Sequence, residues 1–242
     1  SPLELGTGWH PYVPSGTFLY GAASITTVDL VRLSNPSLTH VALRKFAEYH
    51  KNGKLEKLLP GINPERLQIV LNEAEHLSSD FFDLLDKYRI TYMVMDARRL
   101  QLADGSIDLI TSNNTFEHIY PNVLEGILDK LNRLCKKGGV MSHAIDLSDH
   151  FAHMDNSISI YNFLKFSDWE WKWIDNSIQP MNRMRVYNYE SLYSKLNIPI
   201  TQRIDRKPDM DLYNKAKVHP AFLSHPAEEN AVSHCSFVSV IL

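Results

Sequence analysis

A doubly wound α/β fold is what this sequence predicts, and three observations predict it. An apolar run breaks into glycines at Leu3-Glu4-Leu5-Gly6-Thr7-Gly8, and a second apolar run closes on Asp29. Further apolar runs at 89–95, 107–112 and 140–146 end in polar residues and are separated by stretches of helical spacing. Strand, glycine turn, helix, strand and acid together form the first unit of a nucleotide-binding sheet.

The opening loop sets the kind of ligand. Gly6 and Gly8 let the backbone bend sharply and let a ligand approach with no Cβ in the way. Asp29, roughly 20 residues on, can accept hydrogen bonds from both hydroxyls of a ribose. The third glycine of a dinucleotide fingerprint is missing, because Pro11 of Trp9-His10-Pro11-Tyr12 stands there. E-x-G-x-G without a phosphate cradle suits a nucleoside with an amino-acid tail, whose ammonium can pair with Glu4 directly or through water.

Each element follows in order. Val13 to Tyr20 reads as the first crossover helix, ended by Gly21-Ala22, and Ser24 to Asp29 as the β-branched second strand. Pro36 stands at the first helical position after Asn35, and apolar residues at helical spacing continue to the Asn52-Gly53 stop. A second helical stretch, Pro64 to Leu85, reads as an insertion or an extended crossover. Arg89 to Met95 is a continuous apolar run, expected of a strand buried on both faces. Asp96-Ala97-Arg98 ends it.

Asp104-Gly105-Ser106 is a turn into the buried strand Ile107 to Ser112, and Asn113 to His118 is a loop at its carboxyl end. Ligands of open α/β sheets bind at such ends. Asn122 to Leu134 reads as an amphipathic helix, Lys136-Lys137-Gly138-Gly139 as its basic end and stop, and Val140 to Asp146 as the fifth strand. An aromatic-rich stretch without clean periodicity follows, carrying Phe151, Tyr161, Phe163, Phe166, Trp169, Trp171 and Trp173. Tyr187 to Leu196 is a helix, and Pro199 to Ile204 and Ser236 to Leu242 supply the last two strands. Lys207 to Asn230 is a polar connection with no readable pattern.

On the glycine loop and the 96–119 landmarks the sequence resembles the class I S-adenosylmethionine-dependent methyltransferases, in particular the group with a type 11 methyltransferase domain. Members of that group commonly show an acid then Ala after the third strand, a D-G-S-F-D-L-like entry to the fourth, and L-E-H-I after it. Here these are Asp96-Ala97, Asp104 to Leu109, and Phe116 to Ile119. The L-x-x-L-x-K-x-G-G helix exit is matched at Leu131 to Gly139. The departures are Trp9-His10-Pro11 in the loop and Phe116 where Leu is usual. The resemblance covers about the first 145 residues.

What the resemblance implies is specific. The fold is a Rossmann-like seven-stranded sheet, mostly parallel with an antiparallel last strand. The chain is one domain, 1–242: a cofactor-binding core to residue 146, an aromatic-rich insertion over the active-site rim at 147–186, and a C-terminal helix with the last two strands. The cofactor is S-adenosyl-L-methionine, lying on the loop of Glu4, Gly6, Thr7 and Gly8. Asp29 with Leu30 takes the ribose hydroxyls, Asp96 takes the adenine exocyclic amine with the Ala97 backbone beside it, and Asn113 takes the methionine end. His118 lies close to the sulfonium and the acceptor. Resembling enzymes usually carry helices before the first strand, so the chain is expected to be part of a longer one.

The implied activity is in-line methyl transfer to an O, N or C nucleophile of a small molecule. A hydroxyl acceptor must lose a proton, and His150 and His153 are candidates for the base beside His118. His143, Asp146, His150, His153 and Asp155 also suit a metal chemically, but no tight ligand spacing is present, and none is expected to bind one. Two rivals stay open: an NAD-dependent oxidoreductase, against which Pro11 and the Asp96 and Asn113 segments argue, and a catalytically silent cofactor-binding protein on the same fold.

Composition narrows the class further. With 242 residues, 44% of them hydrophobic, the chain can bury a full core. Its formal charge of −3 comes with Lys and Arg spread along the chain, so no nucleic-acid footprint is visible. Cys135 and Cys235 are the only cysteines and form no CxxC pair, which suggests a reduced, cytoplasmic setting. No long apolar run, signal peptide or acylation motif appears, so no membrane partner is expected. Oligomeric state is not legible.

Overall fold

A computed structural model describes residues 1–76 and 80–242. Among these residues the chain runs β1 (Pro2–Leu5), α1 (Tyr12–Leu19), β2 (Ile25–Asp29), α2 (Pro36–Lys51), α3 (Leu55–Leu58), α4 (Pro64–Glu75), α5 (Phe81–Lys87), β3 (Ile90–Val94), β4 (Ile107–Asn113) and α6 (Pro121–Leu134). It continues through β5 (Cys135–Asp146), α7 (Asp168–Ile174), α8 (Val186–Lys195), β6 (Gln202–Asp205), α9 (Met210–Tyr213), α10 (Ala227–Ala231) and β7 (His234–Val240). The strands form one seven-stranded sheet in the order β3-β2-β1-β4-β5-β7-β6. β1, β2 and β3 run parallel, and β7 is antiparallel to both β5 and β6. The mostly parallel, Rossmann-like sheet with its reversed last strand is thus the fold the sequence predicts.

Contacts divide the chain into two compact units, 1–111 with 134–136, and 112–133 with 137–242. The first is built on α1, α2, α4 and α5 packed against β2 and β3, with Phe18, Leu43, Val70, Leu84 and Tyr88 buried together. Its helices start where the sequence supplies a cap. Asn35 accepts from the Leu38 N–H with Pro36 at the first position, and Asn63 accepts from the Arg66 N–H with Pro64 there. The Arg66 guanidinium donates to the Phe18 and Ala22 carbonyls, both at 2.8 Å, and lies over the Phe18 ring, closing the end of α1. The second unit has its own cluster of Tyr161, Phe163, Leu164, Trp171, Met181, Tyr213 and Phe222.

Four expectations need correction. β3 is not buried on both faces: it is the sheet edge, Thr91 and Val94 are exposed, and only Ile90 is buried. Its apolar run packs one side alone, with Tyr92 against the helical core. The stretch 64–85 is two helices, α4 and α5, because Asp80 caps a fresh start by accepting from the Phe82 and Asp83 N–H groups; residues 77–79 of that stretch lie outside the described residues. Lys136 to Gly139 belong to β5, where the Gly138 N–H donates to Ile241 and the Ile241 N–H to Gly139. Backbone pairing there outweighs a helix-stop composition. Lastly, 207–230 holds α9 and much of α10, each a short turn that no periodicity can announce.

Candidate functional site

In the first unit, register brings the predicted cofactor residues to one rim. Leu5 pairs with Val28 and Asp29 with Val94, so Asp29 and Asp96 leave adjacent parallel strands within two residues of the same level. Neighbouring strands lie about 4.8 Å apart. The ladder continues past the strand ends, the Gly6 N–H donating to Val28 at 2.8 Å and the Met95 N–H to Asp29 at 2.9 Å.

The loop itself is left-handed at both glycines, φ 79° at Gly6 and 64° at Gly8, which is why Cβ-bearing residues are disfavoured there. Asp29 braces it: one carboxylate oxygen accepts from the Gly8 N–H at 3.1 Å and the other from the Leu30 N–H at 2.8 Å. Each oxygen keeps a further lone pair for a ligand. Thr7 is buried and shares a hydrogen bond with the Thr27 hydroxyl, while Leu30 is exposed. A Cβ at Gly8 would point into open space, so room for a ligand lies directly against the backbone.

Glu4 lies under this loop, 4% exposed, held by the Thr27 hydroxyl at 3.3 Å. Burial pushes its carboxyl up to about 8, the Thr27 bond opposing and the Asp29 charge adding to the rise. At neutral pH it is therefore largely protonated. Asp96 has a partner the sequence reading did not see. It caps the turn 97–99 through the Arg98 N–H, and the Arg98 guanidinium donates to both its carboxylate oxygens. That pairing holds its carboxyl below the usual range. Ala97 is buried beside it.

The loop is a poor diphosphate seat. Gly8 spends its N–H on Asp29, and Pro11, which precedes α1, has none to give. A nucleoside bearing an amino-acid tail fits the donors and acceptors that remain.

The second unit assembles a different group. Asn113 ends β4, exposed, and the turn 116–118 that follows carries Glu117 and His118. Asn182 pins this turn by donating from its side chain to the Phe116 and Ile119 carbonyls, both at 2.8 Å. Asp146 ends β5, and the turn 150–153 brings His150 and His153 back over it. Sheet register sets His234 directly opposite Asp146.

One Asp146 oxygen accepts from the Ser148 N–H at 2.8 Å and hydroxyl at 2.6 Å. The other faces the Nε2 atoms of His150 at 3.5 Å, His234 at 3.5 Å and His153 at 3.8 Å. Burial opposes ionisation of Asp146, but His150 and the Ser148 donors outweigh it and hold the carboxyl below its ordinary range. Burial pushes Glu117 up to about 8 and lowers His118, whose Nδ1 stands 2.8 Å from the Pro180 carbonyl. The His118 and His150 rings meet edge to face with centroids 4.9 Å apart, and His150 stacks with His153 at 5.0 Å.

The three candidate bases, His118, His150 and His153, thus share one cluster with Glu117, Asp146 and His234. His143 is elsewhere: it is fully buried, hydrogen bonded to the Ser112 hydroxyl and stacked on Phe116, a core residue. Asp155 caps its own local turn through the Ser157 N–H. The tryptophans divide, with Trp171 buried and donating to the Met181 carbonyl while Trp169 and Trp173 are exposed.

Residues 42–142, from within α2 to within β5, match the family model described as a methyltransferase domain. That stretch of the chain is similar to the methyltransferase-domain family. The match to that domain family takes in Asp96-Ala97, the Asp104 to Leu109 entry and Phe116 to Ile119, whereas the glycine loop and Asp29 lie before it. Solved methyltransferases share the fold: geranyl diphosphate C-methyltransferase of Streptomyces coelicolor A3(2) superposes over 100% of this chain and 73% of its own, at TM-score 0.52 and 10% identity. An S-adenosylmethionine-dependent methyltransferase of Methanosarcina mazei matches 100% of this chain and 92% of its own, at TM-score 0.52 and 11% identity. One from Listeria monocytogenes, itself described as putative, covers 100% and 90%, at TM-score 0.52 and 12% identity. No curated protein sequence matches the chain. No described helix is long and apolar enough to cross a membrane.

Proposed function

We propose that this protein transfers the methyl group of S-adenosyl-L-methionine to a small-molecule acceptor. The observation that carries the reading is the level rim of the first unit, where a left-handed two-glycine loop, Asp29 and Asp96 leave adjacent parallel strands together. Asp29 takes the ribose hydroxyls on its remaining lone pairs. The Asp96 turn takes the adenine edge, with the amide backbone at Ala97 beside it. Glu4 receives the ammonium of the amino-acid tail, which favours its ionised form. Neighbours of the same fold were crystallised with S-adenosylhomocysteine or described as S-adenosylmethionine-dependent, which supports the same cofactor here.

The bound cofactor supplies the activated methyl, which an acceptor atom attacks in line while the sulfur keeps the bonding pair. The chain's own task is alignment, exclusion of water and removal of one proton. His153 is the member of the histidine group best placed for that last step: its side chain is half exposed and its Nε2 stands 3.8 Å from the ionised Asp146, which stabilises the imidazolium that forms. His118 and His150 lie in the same group.

Isothermal titration with S-adenosyl-L-methionine, S-adenosylhomocysteine and NAD tests the assignment. Binding of the first two with no NAD affinity supports it, and absence of sulfonium-cofactor binding removes it. Methyl transfer to supplied sugar or phenol hydroxyls, abolished by His153→Ala at unchanged cofactor affinity, separates an enzyme from a silent binding protein.

A further inference from the structure

We propose that Glu117, His118 and His150 form a binding site for a divalent transition-metal ion of the zinc class. The donor atoms of these three side chains lie within 4.8 Å of one another, all in the second unit. Two imidazoles and one carboxylate make a borderline donor set, suited to zinc, cobalt, iron or manganese and poorly to magnesium, which prefers oxygen throughout. Ligands about 2.1 Å from an ion stand roughly 3 to 3.5 Å apart, so loading draws the three inward by about an ångström.

The surroundings of each donor point the same way. Glu117 is 4% exposed, and its Oε2 is buried with no hydrogen-bond partner among the described residues, the kind of orphaned acceptor a cation satisfies. His150 is 7% exposed, and its Nε2 faces the Asp146 carboxylate at 3.5 Å without a well-aligned hydrogen bond among the described residues. His118 places Nδ1 2.8 Å from the Pro180 carbonyl. A proton on that nitrogen fixes the tautomer and leaves Nε2 with its lone pair, the arrangement in which a ligating histidine is held by an outer acceptor. The Gln179 side-chain amide nitrogen stands 3.2 Å from His150 Nδ1; turning the amide over, so that its oxygen faces the ring, would hold His150 in the same way. Asp146 Oδ2, 3.5 Å from His150 Nε2, adds a negative charge beside the ion.

Three protein ligands leave a position open. Resting on the methyl-transfer reading, an ion held there would take a hydroxyl oxygen and lower its pKa, so that its proton leaves to His153 or to water. The acceptor class this favours is a hydroxyl or vicinal diol.

The test starts from intact protein stripped with a chelator. Titration with Zn²⁺ and with Co²⁺, without any methyl donor, should show one tight site, and Co²⁺ should develop the visible absorption of a site containing imidazole nitrogen. His118→Gln and His150→Gln, checked for folding by circular dichroism, should each weaken Zn²⁺ binding at least tenfold and bleach the Co²⁺ spectrum; Glu117→Gln should do the same without altering the imidazoles. No stoichiometric uptake by the parent protein, uptake unchanged in the His118→Gln/His150→Gln double variant, or Mg²⁺ binding as tight as Zn²⁺ would overturn the proposal. S-adenosyl-L-methionine affinity of the stripped protein is measured separately, so failure of the metal site and failure of the cofactor assignment give different results.

Discussion

Glu4 lies buried beside the glycine loop, and burial changes what its carboxyl does. In the unfolded chain it ionises near the ordinary Glu value, whereas burial under the loop holds its proton to about 8. The folded state therefore binds more protons than the unfolded state between these values, and stability falls as pH rises through that window. We expect Glu4→Gln to be near neutral at pH 4.5 and stabilising by a few kcal/mol at pH 8.5, read as a flattened slope in urea denaturation across that range. Asp29 has a different role, and Asp29→Ala should cost at least tenfold in S-adenosyl-L-methionine affinity by titration calorimetry while leaving the circular dichroism spectrum unchanged. Asp29 was legible because an acid closing a β-branched run advertises itself. The Arg98 clamp on Asp96 was not, since a pair two residues apart meets only when the turn 97–99 folds between them. Glu117 looked like one letter of a family motif, and its meeting with His150 depends on two turns from separate strand ends.

Among elements, the segment between β5 and α8 depends on two arginines for its order. Arg185 is wholly buried and has no carboxylate partner among the described residues. It donates to the carbonyls of Leu147, at 2.6 Å, Asn230, at 2.7 Å, and Val232, and burial lowers its pKa to about 10. Arg183 has a left-handed backbone, bonds Phe163, Phe166 and Asp168, and lies between the Trp171 and Phe222 rings. Arg185→Met should strand three carbonyls and destabilise by about 3 kcal/mol or more, measured by chemical denaturation. Aromatic composition alone could not reveal this, because the ordering groups are cations at the far end of the segment. Helix α2, by contrast, was readable to within a residue: Asn35, Pro36 and Asn52 mark its ends through local capping that needs no tertiary partner.

For the molecule as a whole, the strand sequence was readable because parallel sheets demand apolar runs with polar ends, while the division into two units was hidden, since it cuts through β4 and separates the start of β5 from the rest. Acid should act on the second unit through His143. Burial lowers this imidazole to about 3 from an ordinary value near 6.5, so the unfolded chain takes up a proton that the folded one refuses. Stability contributed by the neutral ring is complete above pH 6.5 and is lost progressively toward pH 3; thermal unfolding between those limits should show the midpoint falling with pH, less steeply in His143→Gln.

The two cysteines fall one to each unit, Cys135 with the first and Cys235 with the second, and both are buried thiols whose pKa is raised by desolvation, Cys235 to about 12. Nature has thereby left a silent tag in each half. Pulsed alkylation followed by mass mapping would clock the opening of either half without any engineered label: equal modification rates would mean that the halves breathe as one, and unequal rates would name the half that lets go first.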